Sequence, residues 1–123
     1  MKIIKLSQSN TATIFFVPFN PKSFEKHIVK GDLQHTGVIY NGTVYETFNH
    51  GKFNVESEST RKPELEKQNA IFFQYPIIPN KLSEVNSGTS CEQFVLRVMG
   101  KSNLIGPNKG SLYPQDVHDL YFT

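Results

Sequence analysis

The first apolar stretch of the chain predicts one strand followed by one short helix. Residues 12–17 form an apolar run that is rich in β-branched and aromatic side chains and ends at Pro18, which is typical of a strand. Pro21 is suited to the first position of a helix. Between residues 22 and 30 three side chains share one helical face, which predicts a short helix there: Phe24, His27 and Ile28.

The clearest alternation of apolar and polar positions predicts an antiparallel meander. Residues 35–40 and 43–48 are strand-like, and they are joined by an Asn-Gly pair at residues 41–42, the strongest short-range signal for a hairpin. A tight turn at residues 49–52 leads into a third alternating run, residues 53–56. We therefore expect three consecutive antiparallel strands.

The next third of the chain predicts one more strand between two irregular connections. Residues 57–68 are polar and charged, so we expect a solvated connection in which Pro63 starts a single helical turn. Residues 70–75 are apolar and are followed by a proline, which predicts a strand. Residues 79–84 then predict a loop or short turn.

The only cysteine of the chain lies at the start of a predicted helix. Thr89 is suited to the N-cap position, and Glu92 stands three residues later, which is the spacing of a capping box. Gly100 is suited to end the helix in a left-handed conformation. The apolar side chains that follow Cys91 recur at helical spacing and predict one buried face: Phe94, Val95, Val98 and Met99.

The last part of the chain predicts a loop and one more helix. Residues 101–110 contain two glycines and a proline and indicate a loop, and residues 113–120 predict a short helix with Pro114 at its first position. No repeat, low-complexity tract or domain boundary interrupts the sequence. We therefore expect residues 1–123 to form a single α+β domain.

Composition and charge exclude several classes of protein. The 123 residues are 37% hydrophobic and 20% charged, which is an ordinary globular composition. A formal net charge of +2 gives no electrostatic case for a nucleic-acid partner. No apolar run reaches the length of an integral membrane segment. The first residues lack the apolar stretch of a signal peptide, and one cysteine cannot form an internal disulfide, so we expect a cytoplasmic protein.

The residues that suggest catalysis are one cysteine, one histidine and one carboxylate. Cys91 falls in the first helical turn, where the positive end of the helix dipole favours a thiolate, the nucleophilic form of the side chain. His35 opens a predicted strand and faces the same side as Gly37 and Ile39. Glu46, on the neighbouring strand, can reach the His35 ring, fix its tautomer and stabilise its protonated form.

Each of these residues also has a structural interpretation. Cys91 can be a small apolar residue of the core, His35 can donate to a backbone carbonyl at a strand end, and Glu46 can point to solvent. His50 is the rival of Glu46 as the third member of a triad. We expect His27 and His118 to lie at the surface or at the edge of the core.

The sequence offers no motif for a metal or a phosphate. One cysteine and four scattered histidines give no paired ligand spacing such as CxxC or HxxxH. No glycine-rich phosphate loop is present. We therefore expect neither a metal centre nor a cofactor.

Three stretches resemble the circularly permuted NlpC-like papain-fold cysteine hydrolases and their relatives. Residues 35–47, HTGVIYNGTVYET, are similar to its histidine strand and the strand that follows, His-x-Gly-Ile-Tyr and Val-x-Glu-Ala. Residues 90–95, SCEQFV, resemble the Asn-Cys-Glu-His-Phe nucleophile helix of the related lecithin:retinol acyltransferase branch. Residues 112–117, LYPQDV, are similar to a Thr/Ser-Pro-x-Asp-Leu segment of such domains. The histidine precedes the cysteine, as in permuted members, and the resemblance spans residues 12–120.

This resemblance implies a fold and a catalytic triad. The fold would be papain-like, with an antiparallel, partly barrel-like sheet and the nucleophile helix packed against it. Cys91 would be the nucleophile, His35 the general base and acid, and Glu46 the residue that orients His35. The acyltransferase branch instead uses a second histidine on the next strand, and His50 lies later than that position. An oxyanion would be held by the Cys91 backbone N–H and one further donor.

The function that follows is a cysteine hydrolase of the amidase or peptidase (thiol protease) type. Its substrate would be a peptidoglycan-type peptide, another amide or an acyl lipid, in a bacterial or phage protein that acts inside the cell, is released by lysis or associates with a virion. One alternative is a lipid acyltransferase or phospholipase, with residues 71–73 and 77–78 as its apolar surface, although Ser90 and Gln93 depart from the acyltransferase motif. The other is a non-catalytic binding domain that keeps the fold.

Overall fold

The computed structural model describes residues 10–18, 33–48, 51–101 and 113–123. In these parts of the chain, five antiparallel strands form one open sheet with helices on both faces. The strands are β1 (Thr11–Pro18), β2 (Leu33–Tyr40), β3 (Thr43–Thr47), β4 (Phe53–Ser57) and β5 (Ile71–Pro76), in the order β4-β3-β2-β1-β5. The helices are α1 (Glu58–Lys67), a 3₁₀ helix (Pro79–Asn86), α2 (Cys91–Val98) and α3 (Pro114–Tyr121).

The α+β class is confirmed, but the sheet is not closed. β4 and β5 are its two edges, and each pairs with a neighbour on one side only. The expected partly barrel-like closure is therefore not seen in the described strands.

The three strands of the predicted meander and its first turn are confirmed. Asn41 and Gly42 both have positive φ angles, 50° and 77°, which is the geometry of the tight hairpin turn that Asn-Gly favours. The turn sets Val38 opposite Tyr45. β4 then pairs with β3 along its whole length.

Alternation along the strands separates two apolar clusters, one on each face of the sheet. On β2, Val38 belongs to the cluster that α2 and α3 cover, whereas Ile39 belongs to the cluster that α1 covers through Leu65. We call these the α2 face and the α1 face. The apolar positions predicted for α2 are all buried on the α2 face: Phe94, Val95, Val98 and Met99.

The structure corrects the expectation for residues 57–68. Glu58–Lys67 of this segment form the ten-residue helix α1, with Pro63 inside it, rather than a connection with a single turn. The helix is polar almost all round and buries only Leu65, so it has no helical apolar period that sequence analysis can detect. The backbone N–H of Glu58 donates to the carbonyl of Gly42 at 2.8 Å and ties the start of the helix to the hairpin turn.

Most other elements agree with the prediction. The strands around residues 12–17 and 70–75 and the helix that begins at Pro114 are present, and Gly100 follows α2 with a φ angle of 77°. Residues 79–84 belong to a 3₁₀ helix. The helix expected between residues 22 and 30, the turn residues 49–50 and residues 102–110 of the expected loop lie outside the described residues.

Gly37 is required by a close approach between β1 and β2. A Cβ placed on Gly37 would overlap Cζ of Phe15 and would lie 2.7 Å from Phe15 Cε2 and 3.0 Å from the Tyr45 carbonyl oxygen. The Phe15 ring therefore covers the space that a side chain at residue 37 would take. The ring also contacts His35, with centroids 6.0 Å apart, so Gly37 allows the packing that flanks the candidate histidine.

We predict that Gly37→Ala lowers the free energy of unfolding by about 1–3 kcal/mol, the usual cost of overpacking a core. Urea unfolding measures the change. The same substitution in a Phe15→Leu background should cost less, because the smaller side chain leaves room for the methyl group. Equal costs in both backgrounds would show that the Phe15 ring is not what excludes a side chain here.

Candidate functional site

The structure brings His35 and Glu46 into direct contact. His35 Nε2 lies 2.8 Å from Glu46 Oε1, as the strand positions of the two residues suggested. Both side chains lie on the α1 face. His35 is three residues before Val38, and Glu46 is one residue after Tyr45, so each points away from the α2 face to which Val38 and Tyr45 belong. The His35 ring stacks on Phe48, with centroids 4.9 Å apart and planes at 7°. The ring is therefore held by one hydrogen bond and one flat aromatic contact.

Two further donors hold the Glu46 carboxylate. Arg61 of α1 donates from Nε to Oε2 at 2.6 Å and from an NH2 group to Oε1 at 3.1 Å. Asn54 of β4 donates from Nδ2 to Oε2 at 2.9 Å. The Glu46 side chain has no exposed surface, so these bonds replace the water it would otherwise bind.

The hydrogen bonds around Glu46 keep its carboxylate ionised. Burial alone would raise the pKa of Glu46, but the hydrogen bonds from His35, Arg61 and Asn54 outweigh burial and lower the pKa from 4.5 to about 2. A carboxylate that stays charged at neutral pH can orient an imidazole ring and stabilise its protonated form.

Cys91 is the first residue of α2, as predicted, but the cap lies one residue later than expected. Ser90 rather than Thr89 is the N-cap residue, and its backbone N–H donates to Oε1 of Gln93 at 3.4 Å. Glu92 is not the capping partner. Its carboxylate instead accepts hydrogen bonds from the Ser90 hydroxyl at 2.7 Å and from the Cys91 thiol at 3.3 Å.

The expected lowering of the Cys91 pKa is not found. Burial raises the pKa of the thiol to about 12, and the charge and hydrogen bond of Glu92 act in the same direction. The backbone amides of Thr36 and Glu92 oppose this rise but do not offset it. Burial and a neighbouring carboxylate therefore outweigh the position at a helix N-terminus.

Cys91 and His35 meet β2 from opposite faces of the sheet. Helix α2 packs on one face, and the Cys91 thiol lies beside the backbone amide of Thr36, the residue that follows His35. The described residues show no hydrogen bond between Cys91 Sγ and the His35 ring. The β2–β3 pairing spans Val38 to Tyr40 on β2, so His35 and Thr36 lie beyond its end.

Of the other three histidines, His118 lies in the described residues, and it does not join this cluster. His50 and His27 lie outside the described residues. His118 lies on α3, where it contacts the rings of Phe16 and Phe73 and pairs with Asp119 at 3.0 Å, which agrees with a place at the edge of the core.

The apolar side chains considered for a lipid surface are divided between surface and core. Ile71 and Ile78 are 38% and 42% exposed, whereas Ile77 is buried. Phe72 and Phe73 pack against opposite faces of the sheet. These residues therefore do not form one continuous exposed patch.

Arg61 and Asn54 are site residues that the sequence analysis missed. Arg61 lies in the segment taken for a solvated connection, and Asn54 is a polar residue in an alternating strand. Strand alternation could have identified Asn54. Asn54 stands opposite Glu46 in the β3–β4 pairing, so the two side chains face the same side of the sheet. No pattern in the residues around Arg61 predicts that it belongs to the site.

In the described parts of the chain, no cluster of His, Cys, Asp and Glu side chains is arranged to hold a metal ion. No described helix is both long and apolar enough to cross a membrane. Comparisons with protein-family models, with curated proteins and with solved structures find no match to this chain.

We predict that Glu46 makes the fold sensitive to acid. Because its pKa is lower in the folded protein than in the unfolded chain, its stabilisation is complete above about pH 4.5 and is lost as the pH falls towards 2, by about 3 kcal/mol in total. Urea unfolding between pH 2 and pH 6 measures this loss. Glu46→Gln should remove that part of the pH dependence, in addition to destabilising the fold at neutral pH.

Glu64→Gln is the matched control for Glu46→Gln, because Glu64 also pairs with Arg61 but its side chain is 61% exposed. It should keep the acid sensitivity of the parent. Identical pH dependence in the parent and Glu46→Gln would contradict the prediction.

Proposed function

We propose that the protein is a cysteine hydrolase that acts by acyl transfer, with Cys91 as nucleophile, His35 as general base and acid, and Glu46 as the residue that orients His35. The observation that carries the proposal is the His35–Glu46 pair. Its hydrogen bond occupies Nε2, and Nδ1 makes no hydrogen bond with the described residues, so one ring nitrogen is left for proton transfer. The sequence resemblance described above is the second support.

In the proposed reaction, Cys91 Sγ attacks the carbonyl carbon of an amide or ester while its proton passes to His35 Nδ1. The bond from the carbonyl carbon to the leaving nitrogen or oxygen breaks, and the His35 proton goes to that leaving group. Water then attacks the thioester, with His35 again taking a proton, and the carboxylic acid and the free thiol are released.

The surroundings of Cys91 favour attack by a thiol that is protonated at rest. With a pKa of about 12, little thiolate exists at neutral pH, so a base has to remove the proton as the new bond forms. His35 must therefore approach the sulfur from the other side of β2. The end of β2 that carries His35 and Thr36 lies beyond the β2–β3 pairing but stays paired with β1, and the thiol contacts it through the Thr36 amide.

The substrate class follows from the proposed chemistry and from the distribution of exposed apolar side chains. A peptide or another amide, such as a peptidoglycan-type peptide, suits attack by a thiol on a carbonyl. Acyl-lipid chemistry has weaker support, because Ile77 is buried and the exposed apolar side chains near it are scattered.

The second candidate is a binding domain that retains the site without catalysis. The observation that favours it is the raised pKa of Cys91, together with a Glu46 carboxylate that has three protein partners whether or not His35 takes part in a reaction. In this alternative the His35–Glu46–Arg61 network serves only to join the strands to α1.

Acylation of Cys91 by p-nitrophenyl acetate tests the two candidates. We predict that the parent releases a burst of p-nitrophenolate equal to the protein concentration and that mass spectrometry finds the acetyl group on Cys91. Cys91→Ala should give no burst. His35→Ala should slow acylation by about 10²–10⁴-fold, the usual contribution of a general base.

His118→Ala is the matched control, because His118 also pairs with a carboxylate and its side chain is about as exposed as that of His35. It should acylate at the parent rate. Equal rates for the parent and His35→Ala would contradict the proposed role of His35, and a parent that is never acylated would favour the binding domain.

A further inference from the structure

The α2 face carries a buried hydroxyl without a partner at the end of β3. Thr47 is 1% exposed, and its Oγ1 makes no hydrogen bond within the described residues. An unpaired buried hydroxyl is destabilising, and buried polar groups in proteins are rarely left in this state. The Thr47 hydroxyl is therefore available to a group that the described residues do not supply.

Strand register places Thr47 at the same strand end as Cys91. Thr47 lies two residues after Tyr45 on β3, and residues two apart on a strand face the same side. Because the Tyr45 ring packs on the apolar cluster beneath α2, Thr47 also lies on the α2 face. Tyr45 is opposite Val38, and two residues further along each strand stand Thr47 and Thr36. Since the Thr36 amide lies beside the Cys91 thiol, the Thr47 hydroxyl lies on the face and at the strand end where the sulfur meets the sheet.

One nearby threonine hydroxyl has a partner and another does not. The Thr36 hydroxyl donates to the Phe15 carbonyl at 2.8 Å. The Thr89 hydroxyl, two residues before Cys91, is buried and lacks a partner in the same way as that of Thr47. Of the two unpaired buried hydroxyls of the described residues, one thus lies at the end of β3 and the other lies two residues before Cys91.

We propose that the Thr47 hydroxyl is the second oxyanion donor, which hydrogen-bonds the carbonyl oxygen of the group that Cys91 attacks. The inference rests on the proposed function, since it assigns a donor for that reaction. As Sγ bonds to the carbonyl carbon, the π electrons of the carbonyl move to its oxygen. The Thr47 O–H donates to that oxygen without losing its proton, and the hydrogen bond strengthens as the negative charge grows.

The test compares Thr47→Val, Thr47→Ser and Thr36→Val with the parent in three measurements. Valine has the shape of threonine without the hydroxyl, and serine keeps the hydroxyl. Urea unfolding reports on the fold, the p-nitrophenolate burst from p-nitrophenyl acetate reports on acylation, and iodoacetamide reports on the thiol itself. Alkylation by iodoacetamide displaces iodide and forms no oxyanion, so it does not need the donor.

Thr47→Val should acylate about 100-fold more slowly than the parent, the usual cost of removing one oxyanion donor. It should be alkylated at the parent rate and unfold at the same or a higher urea concentration, because it loses an unpaired hydroxyl. Thr47→Ser should keep most of the acylation rate. Thr36→Val should unfold at a lower urea concentration, because it loses the bond to Phe15.

Three results for Thr47→Val would overturn the inference alone. Acylation at the parent rate would show that the hydroxyl is not needed. Alkylation slowed as much as acylation, or unfolding at a lower urea concentration, would show that the hydroxyl acts on the thiol or on the fold. A parent that is alkylated at Cys91 but never acylated overturns the proposed function and the inference with it.

Discussion

A carboxylate without exposed surface has to be compensated by donors, and the donors to Glu46 come from three other elements of the fold. His35 belongs to β2, Asn54 to β4 and Arg61 to α1, while Glu46 itself belongs to β3. Removing one partner of a buried charge typically costs about 3–5 kcal/mol, because the remaining charge is left without solvation. The packing of α1 on the sheet and the relative positions of three strands are thus tied to one side chain.

The same side chain explains why the His35 ring has a single orientation. Phe48 stacks on one side of the ring, Phe15 lies nearby, and the hydrogen bond to Glu46 selects Nε2 as the donor nitrogen. The surroundings of the Cys91 thiol keep it protonated, because burial and the Glu92 carboxylate raise its pKa. In our account the oriented base and the protonated thiol are complementary, because a thiol with a raised pKa reacts only when a base is in place.

The sequence predicted the parts of this arrangement that depend on local patterns. Asn41-Gly42 determines the hairpin register, and that register brings Glu46 towards His35, so the pair could be predicted from residues close in the chain. The role of Arg61 could not be predicted in this way, because α1 has no apolar period and contains Pro63. The contact between Arg61 and Glu46 depends on tertiary packing. The pKa of Cys91 was predicted in the wrong direction, because burial and Glu92 depend on how α2 packs, whereas only the helix N-terminus is visible in the sequence.

We infer that Glu46 holds the His35 ring with Nδ1 free to accept a proton. The tautomer of His35 tests this arrangement, measured from the ¹⁵N chemical shifts of its ring nitrogens at a pH where the ring is neutral. We expect a proton on Nε2 and none on Nδ1 in the parent, and a mixture of both tautomers in Glu46→Gln. A proton on Nδ1 in the parent would rule out Nδ1 as the base, because that nitrogen would then be a donor.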